Sequence, residues 1–133
     1  MIVSDTNLIA YLLISGSATA TAEAVLAKDP AWAAPAFWRS EMRNVLAGYL
    51  RKSLMTLPDA LGIMADAESI LAGNEHHVDS APVLAMAYSS GCTAYDCEFV
   101  YLAQLLGIPL VTADKKVLRE FPQTAISPED FVT

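Results

Sequence analysis

Between Thr93 and Asp114 the chain reads TAYDCEFVYLAQLLGIPLVTAD, a run that orders a helix, a stop and a strand. Phe99, Leu102, Ala103 and Leu106 recur at helical spacing, which places Asp96 at the start of an amphipathic helix. Gly107 is positioned to cap that helix, and Pro109 prevents its continuation. Leu110-Val111-Thr112 then reads as a short buried strand, with Asp114 just past its C-terminal end. In open α/β sheets that edge is where ligands bind.

The rest of the chain repeats the alternation. Met1 to Ser4 reads as a strand ended by Asp5, with Asn7 as the cap of a helix from Leu8 to Ile14. Gly16 to Thr21 reads as a link, and Ala22 to Ala27 as a short helix. Ala31 to Ala34 is a second strand stopped by Pro35. Phe37 to Lys52 is the clearest helix, striped by Met42, Val45, Leu46, Tyr49 and Leu50. A helix over Leu57 to Leu71 and a weak strand over Glu75 to Val78 follow. Ser80 then caps a helix from Ala81 to Ser90, and Cys92 to Tyr95 delivers Asp96. Lys115 to Glu120 is a short helix, Thr124 to Ile126 a last strand, and Ser127 opens a terminal turn. Strands alternating with helices predict one α/β domain over residues 1–133, with a mostly parallel sheet covered on both faces.

The totals exclude several classes. A chain of 133 residues, 54% of them apolar, argues for one packed core and against disorder. No apolar run approaches a membrane span. MIVSDTNLIAYLLIS carries Asp5 and no leading positive charge, so it reads as a poor signal peptide and predicts a cytoplasmic protein. Cys92 and Cys97 make no disulfide framework and read as buried thiols. A net charge of −7 argues against coating nucleic acid by bulk electrostatics. No GxGxxG or GxxxxGK[ST] is present.

Asp5, Asp96 and Asp114 each stand at a junction between a strand or connection and the next helix. In a parallel sheet such junctions lie on one edge, and Glu41, near the start of its helix, is a fourth acid able to lean in. Carboxylates that converge repel one another, and a cation removes that cost. Oxygen-only ligation suits Mg²⁺ or Mn²⁺ better than zinc. Such ions activate water and neutralise charge on a phosphodiester. Thr6, Asn7 and Thr112 lie beside the acids and could orient a carboxylate or hold a water. The bland alternative is that each acid only caps a helix or meets solvent.

MIVSDTNLI, Glu41 on its helix, AYDCEFVYLAQLLG and IPLVTADKKVLREFP together resemble a PIN domain, and within that family the VapC-type toxins of bacterial toxin–antitoxin pairs. The resemblance implies a three-layer α/β/α sandwich around a parallel sheet and Mg²⁺- or Mn²⁺-dependent endoribonuclease activity. It assigns Asp5, Glu41, Asp96 and Asp114 to the acidic quartet and Thr112 to the hydroxyl position. It further implies a homodimer and a cognate antitoxin. The stretch from Leu57 to Ser80 carries no motif.

Other residues carry weaker signals. Arg39 and Arg43 flank Glu41 and are candidates for phosphate contact, as is Lys115 beside Asp114; Tyr95, next to Asp96, is a candidate to line the cleft. Glu98 falls about 200° round the helix from Asp96 and should point elsewhere. His76 and His77 would face opposite ways on a strand. Trp32, Trp38, Tyr49 and Tyr88 read as core or dimer packing before RNA stacking. A non-catalytic PIN-fold module, a housekeeping nuclease and a phosphoacceptor domain are the competing functions. The last is disfavoured because Asp5 lacks a paired early acid.

Overall fold

A computed structural model describes all residues, Met1–Thr133. Five strands, β1 (Ile2–Ser4), β2 (Trp32–Pro35), β3 (Glu75–His76), β4 (Leu110–Val111) and β5 (Ala125–Ile126), form one sheet in the order β3-β2-β1-β4-β5. All four pairings are parallel, with Val3 opposite both Ala33 and Leu110. The connections are α1 (Thr6–Leu13), α2 (Thr19–Lys28), α3 (Trp38–Arg51), α4 (Leu57–Ile70), α5 (Ser80–Ser90), α6 (Ala94–Leu106) and α7 (Lys115–Glu120); α8 (Pro128–Val132) follows β5. No helix is long and apolar enough to cross a membrane.

Strand order explains the layers. From β1 the chain steps outward to β2 and β3, then jumps back to β4 on the other side of β1. Parallel crossovers are right-handed, so this reversal puts α1 to α4 on one face and α5 to α7 on the other. Contacts agree: α1, α3 and α4 pack on one another, while α6 lies against β1, β2 and β4. Such a sheet must be apolar on both faces. Ile2, Val3, Trp32, Ala33, Ala34, Leu110 and Val111 are all buried. Trp32 and Trp38 are fully enclosed, as expected of core residues, whereas Tyr88 is 94% exposed and belongs to no core.

Several boundaries differ from the sequence reading, each for a local reason. Asp5, not Asn7, caps α1: its backbone is extended and its Oδ1 accepts from the Leu8 N–H at 2.8 Å. Helix α2 starts earlier, at Thr19, whose hydroxyl donates to the Tyr11 carbonyl at 2.7 Å and accepts from Gly16 N–H. Pro35 ends β2 from within. Ala34 and Ala36 donate toward β3, so the absent N–H of Pro35 falls on the β1 side, past the last pair, Val3–Ala33. Ser80 is the first residue of α5 and Asp79 its cap position, without a side-chain bond. The connection before Asp96 is shorter than expected. Thr93 caps α6, which begins at Ala94, and Cys92 and Cys97 sit buried at the two flanking positions where a hydrophobic staple forms.

The helix from Phe37 to Lys52 predicted for α3 contains an unforeseen brace. Glu75 on β3 accepts from Trp38 Nε1 at 2.6 Å and from Arg39 Nε and Nη2 at 2.7 and 2.9 Å, and Glu68 on α4 takes Arg39 Nη1. Arg39 thus ties three elements together.

Helix α6 closes on Gly107, whose φ of +66° lies in the left-handed region that an L side chain adopts at a cost. A Cβ there would meet nothing within 4 Å, so the penalty is conformational alone. Gly107→Ala is expected to cost about 1 kcal/mol, read as a lower urea midpoint at unchanged slope.

Candidate functional site

The switch in strand order lies between β1 and β4, and such a crevice at the carboxyl edge is where open sheets bind ligands. Asp5 follows β1 and caps α1. Asp114 follows β4 and caps α7, with Oδ1 accepting from Lys116 and Val117 N–H at 2.9 and 3.0 Å. Glu41 and Asp96 stand in the first turns of α3 and α6. Acids are favoured at all four places by the positive ends of the helices. The four share one cleft of about 200 Å³, walled by Val45, Phe99, Leu110 and Val117 and rimmed by Thr6, Asn7, Asn44 and Thr112. The bland capping reading and the converging reading therefore both hold for Asp5 and Asp114.

Two buried hydroxyls fix the acids. Thr112 Oγ1 donates to Asp5 Oδ2 at 2.5 Å and accepts from Asp114 N–H at 3.1 Å. Thr6 Oγ1 donates to Glu41 Oε1 at 2.7 Å. On α6, Thr93 Oγ1 accepts from Asp96 N–H at 3.0 Å, and Lys116 Nζ reaches across to the Gly91 carbonyl at 2.8 Å.

Burial sets the electrostatics. It pushes the Asp5 carboxyl up to about 6, against the hydrogen bonds from Thr112 and Leu8, and the charges of Glu41 and Asp114 add to the rise. Burial likewise raises Glu41, opposed by Thr6 and reinforced by Asp96 and Glu98. Asp96 is raised by burial and by Asp114, opposed by Thr93 and the Lys116 charge. The acids thus burden one another, which a cation would relieve.

The donor set is oxygen only, which suits a hard divalent cation such as Mg²⁺ or Mn²⁺. No three His, Cys, Asp or Glu side chains stand close enough together, as placed, to grip one ion, so ligation would require rotation of these side chains.

The remaining sequence candidates fall elsewhere. Arg39, expected to meet phosphate, is held by Glu75 and Glu68 instead. Arg43 and Lys115 are exposed and outside the cleft wall. Tyr95 is 61% exposed and stacks on Phe37, with ring centroids 5.2 Å apart, also outside it. Glu98 does not line the cleft, yet its charge reaches Glu41, which the helical angle from Asp96 did not convey. Asn44 lines the cleft and was missed; its position three residues after Glu41, on the same helix face, was the available signal.

A parallel sheet with four acids round a cleft at its switch point defines an α/β protein with an acidic, oxygen-rich site. The chain belongs to the PIN domain family, whose model matches residues 2–123; PIN domains are in general metal-dependent nucleases. Its fold is similar to the crystal structure of PAE2754 from Pyrobaculum aerophilum. The TM-score is 0.71 at 22% identity, over 98% of this chain and 92% of that one. No curated protein matches the sequence.

The raised acids give a signed pH dependence. Asp5 ionises near 3.8 when unfolded and near 6 when folded, so between these values the folded form binds more protons. Metal-free protein should therefore lose stability as pH rises from about 4 to 6, by up to about 3 kcal/mol from Asp5. Glu41 and Asp96 act in the same direction. Thermal melts across this range in EDTA test the sign. Thr112→Val removes a donor to the ionised form and should extend the decline to higher pH.

Proposed function

We propose that this chain is a Mg²⁺- or Mn²⁺-dependent endoribonuclease, the VapC-type toxin of a cytoplasmic toxin–antitoxin pair. In this reading it acts as a homodimer restrained by a cognate antitoxin. The observation that carries the nuclease reading is the convergence of Asp5, Glu41, Asp96 and Asp114 on one cleft, with two of them tethered by buried threonines. The toxin, antitoxin and dimer assignments rest on the resemblance of the sequence motifs.

Asp5, Asp96 and Asp114, with Glu41, would hold the cation. When bound, it supplies Lewis acidity toward a phosphodiester and offsets the mutual repulsion of the acids. The protein's own residues do the rest. Thr112 holds Asp5 and the start of α7 in register, so two carboxylates keep a fixed relation across strands. Thr6 engages Glu41 Oε1 and leaves Oε2 without a hydrogen bond, to accept a proton from the attacking water. Asn7 and Asn44 present neutral amides at the rim, which can meet ribose or phosphate without charge repulsion. A polyanionic strand would otherwise be repelled by this cleft, on a chain whose net charge is −7.

A second reading is a PIN-fold binding module without catalysis, favoured by the absence of three acids close enough to grip an ion as placed. Calorimetry with Mn²⁺ separates the two, since a module of that kind would give no heat of binding.

End-labelled RNA incubated with Mg²⁺, Mn²⁺ or EDTA should be cut in the first two lanes only. Asp5→Asn and Asp96→Asn should reduce cutting to background while the far-ultraviolet circular dichroism is retained. Thr6→Val and Thr112→Val act one step removed and should cost about 10–100-fold. Undiminished cleavage by Asp96→Asn would overturn the assignment.

A further inference from the structure

Beyond the acid cleft, the exposed face of α3 continues as a second depression. Asn44, Gly48 and Lys52 follow at four-residue intervals and so share one side of the helix end. With Val45, Tyr49 and Leu54 they line a trough of about 310 Å³. Asn44 and Val45 line the acid cleft as well, so the two depressions adjoin across these residues. Tyr49 also borders a depression that runs back past Asn7 at the cleft rim.

Residue 48, on the trough wall, has no side chain to occupy the space. A Cβ built there would meet nothing within 4 Å, so no packing requirement demands glycine, and its φ is not in the left-handed region. A glycine inside a helix costs stability against alanine, and at position 48 it leaves the trough open. The polar side chains around it are unspent: Asn44, Tyr49 and Lys52 make no side-chain hydrogen bond or ion pair within the protein. They offer an amide, an aromatic ring with a hydroxyl and an ammonium group, in order away from the acids.

We propose that this trough is a nucleotide subsite for single-stranded RNA, taking the nucleotide next to the bond cut in the acid cleft. The inference rests on the nuclease reading above. Asn44 would meet the ribose or base edge, Tyr49 a base face, and Lys52 the next phosphate. Rise along the helix puts Lys52 about 12 Å beyond Asn44, within reach of neighbouring nucleotides of one strand. Charge favours RNA over a basic peptide, because the only ionised side chain in the trough is a lysine. A paired strand would hide the bases that Tyr49 and Asn44 need, which selects unpaired RNA.

The test is binding, kept apart from cleavage. On an Asp96→Asn parent, fluorescence anisotropy measures affinity for a short labelled single-stranded RNA of mixed sequence. Gly48→Leu fills the trough while improving helix propensity, so folding is retained; it should weaken binding about tenfold. Gly62→Leu, at another open helical glycine on α4, should leave affinity within about twofold. Lys52→Gln should lower the salt dependence of log Kd by about 0.7, the share of one phosphate contact on a single strand, and Lys52→Arg should restore it. Unchanged RNA affinity in Gly48→Leu overturns the subsite alone and leaves the trough to a peptide partner. Absence of RNA binding by the parent itself, with wild type inert toward RNA, overturns the nuclease reading and the subsite with it.

Discussion

The Thr112 hydroxyl joins the two halves of the molecule. It donates to Asp5 at the end of β1 and accepts from the Asp114 N–H beyond β4, across 107 residues of sequence. The strands it links are those between which the strand order switches, and all three residues line the cleft. Both acids are also helix caps, which fixes one oxygen of each on backbone N–H groups. The cleft is therefore assembled from groups the fold already needs. Side-chain freedom remains chiefly on Glu41 Oε2 and the Asp96 carboxylate.

That economy has an electrostatic cost. Burial and mutual repulsion raise Asp5, Glu41 and Asp96 together, opposed by hydroxyl and backbone donors and, at Asp96, by the Lys116 charge. A fold would not gain stability by gathering these charges. In the proposed reading they are gathered to hold a hard divalent cation, which an oxygen-only donor set suits.

Much of the architecture was legible because the punctuation is local. Gly91 and Gly107 end helices in the left-handed conformation, and Asp114 lies just past a strand, as the sequence indicated. The alternation of strand and helix is a short-range pattern, and it carried the fold class. What local signals could not convey was direction. Asp5 is as good a cap as Asn7, and only tertiary geometry decides between them. Arg39 reads as a free cation beside Glu41 until β3 and α4 bring Glu75 and Glu68 against it. Asn44 carried no charge to mark it. The angle of Glu98 from Asp96 conveys nothing of Glu41 on another helix, whose carboxyl the Glu98 charge raises.

Placing β1 between β2 and β4 has a consequence for how the chain comes into being. A nascent polypeptide makes this strand first, yet one of its two neighbours arrives only with Leu110 and Val111. Until then one edge of the central strand has no partner, and the acids have no shared cleft. The ordering entropy of a long loop must be met before that pairing rewards it. Whatever chemistry the cleft performs is thus withheld from every chain that ends before β4 and Asp114, a safeguard written into strand order.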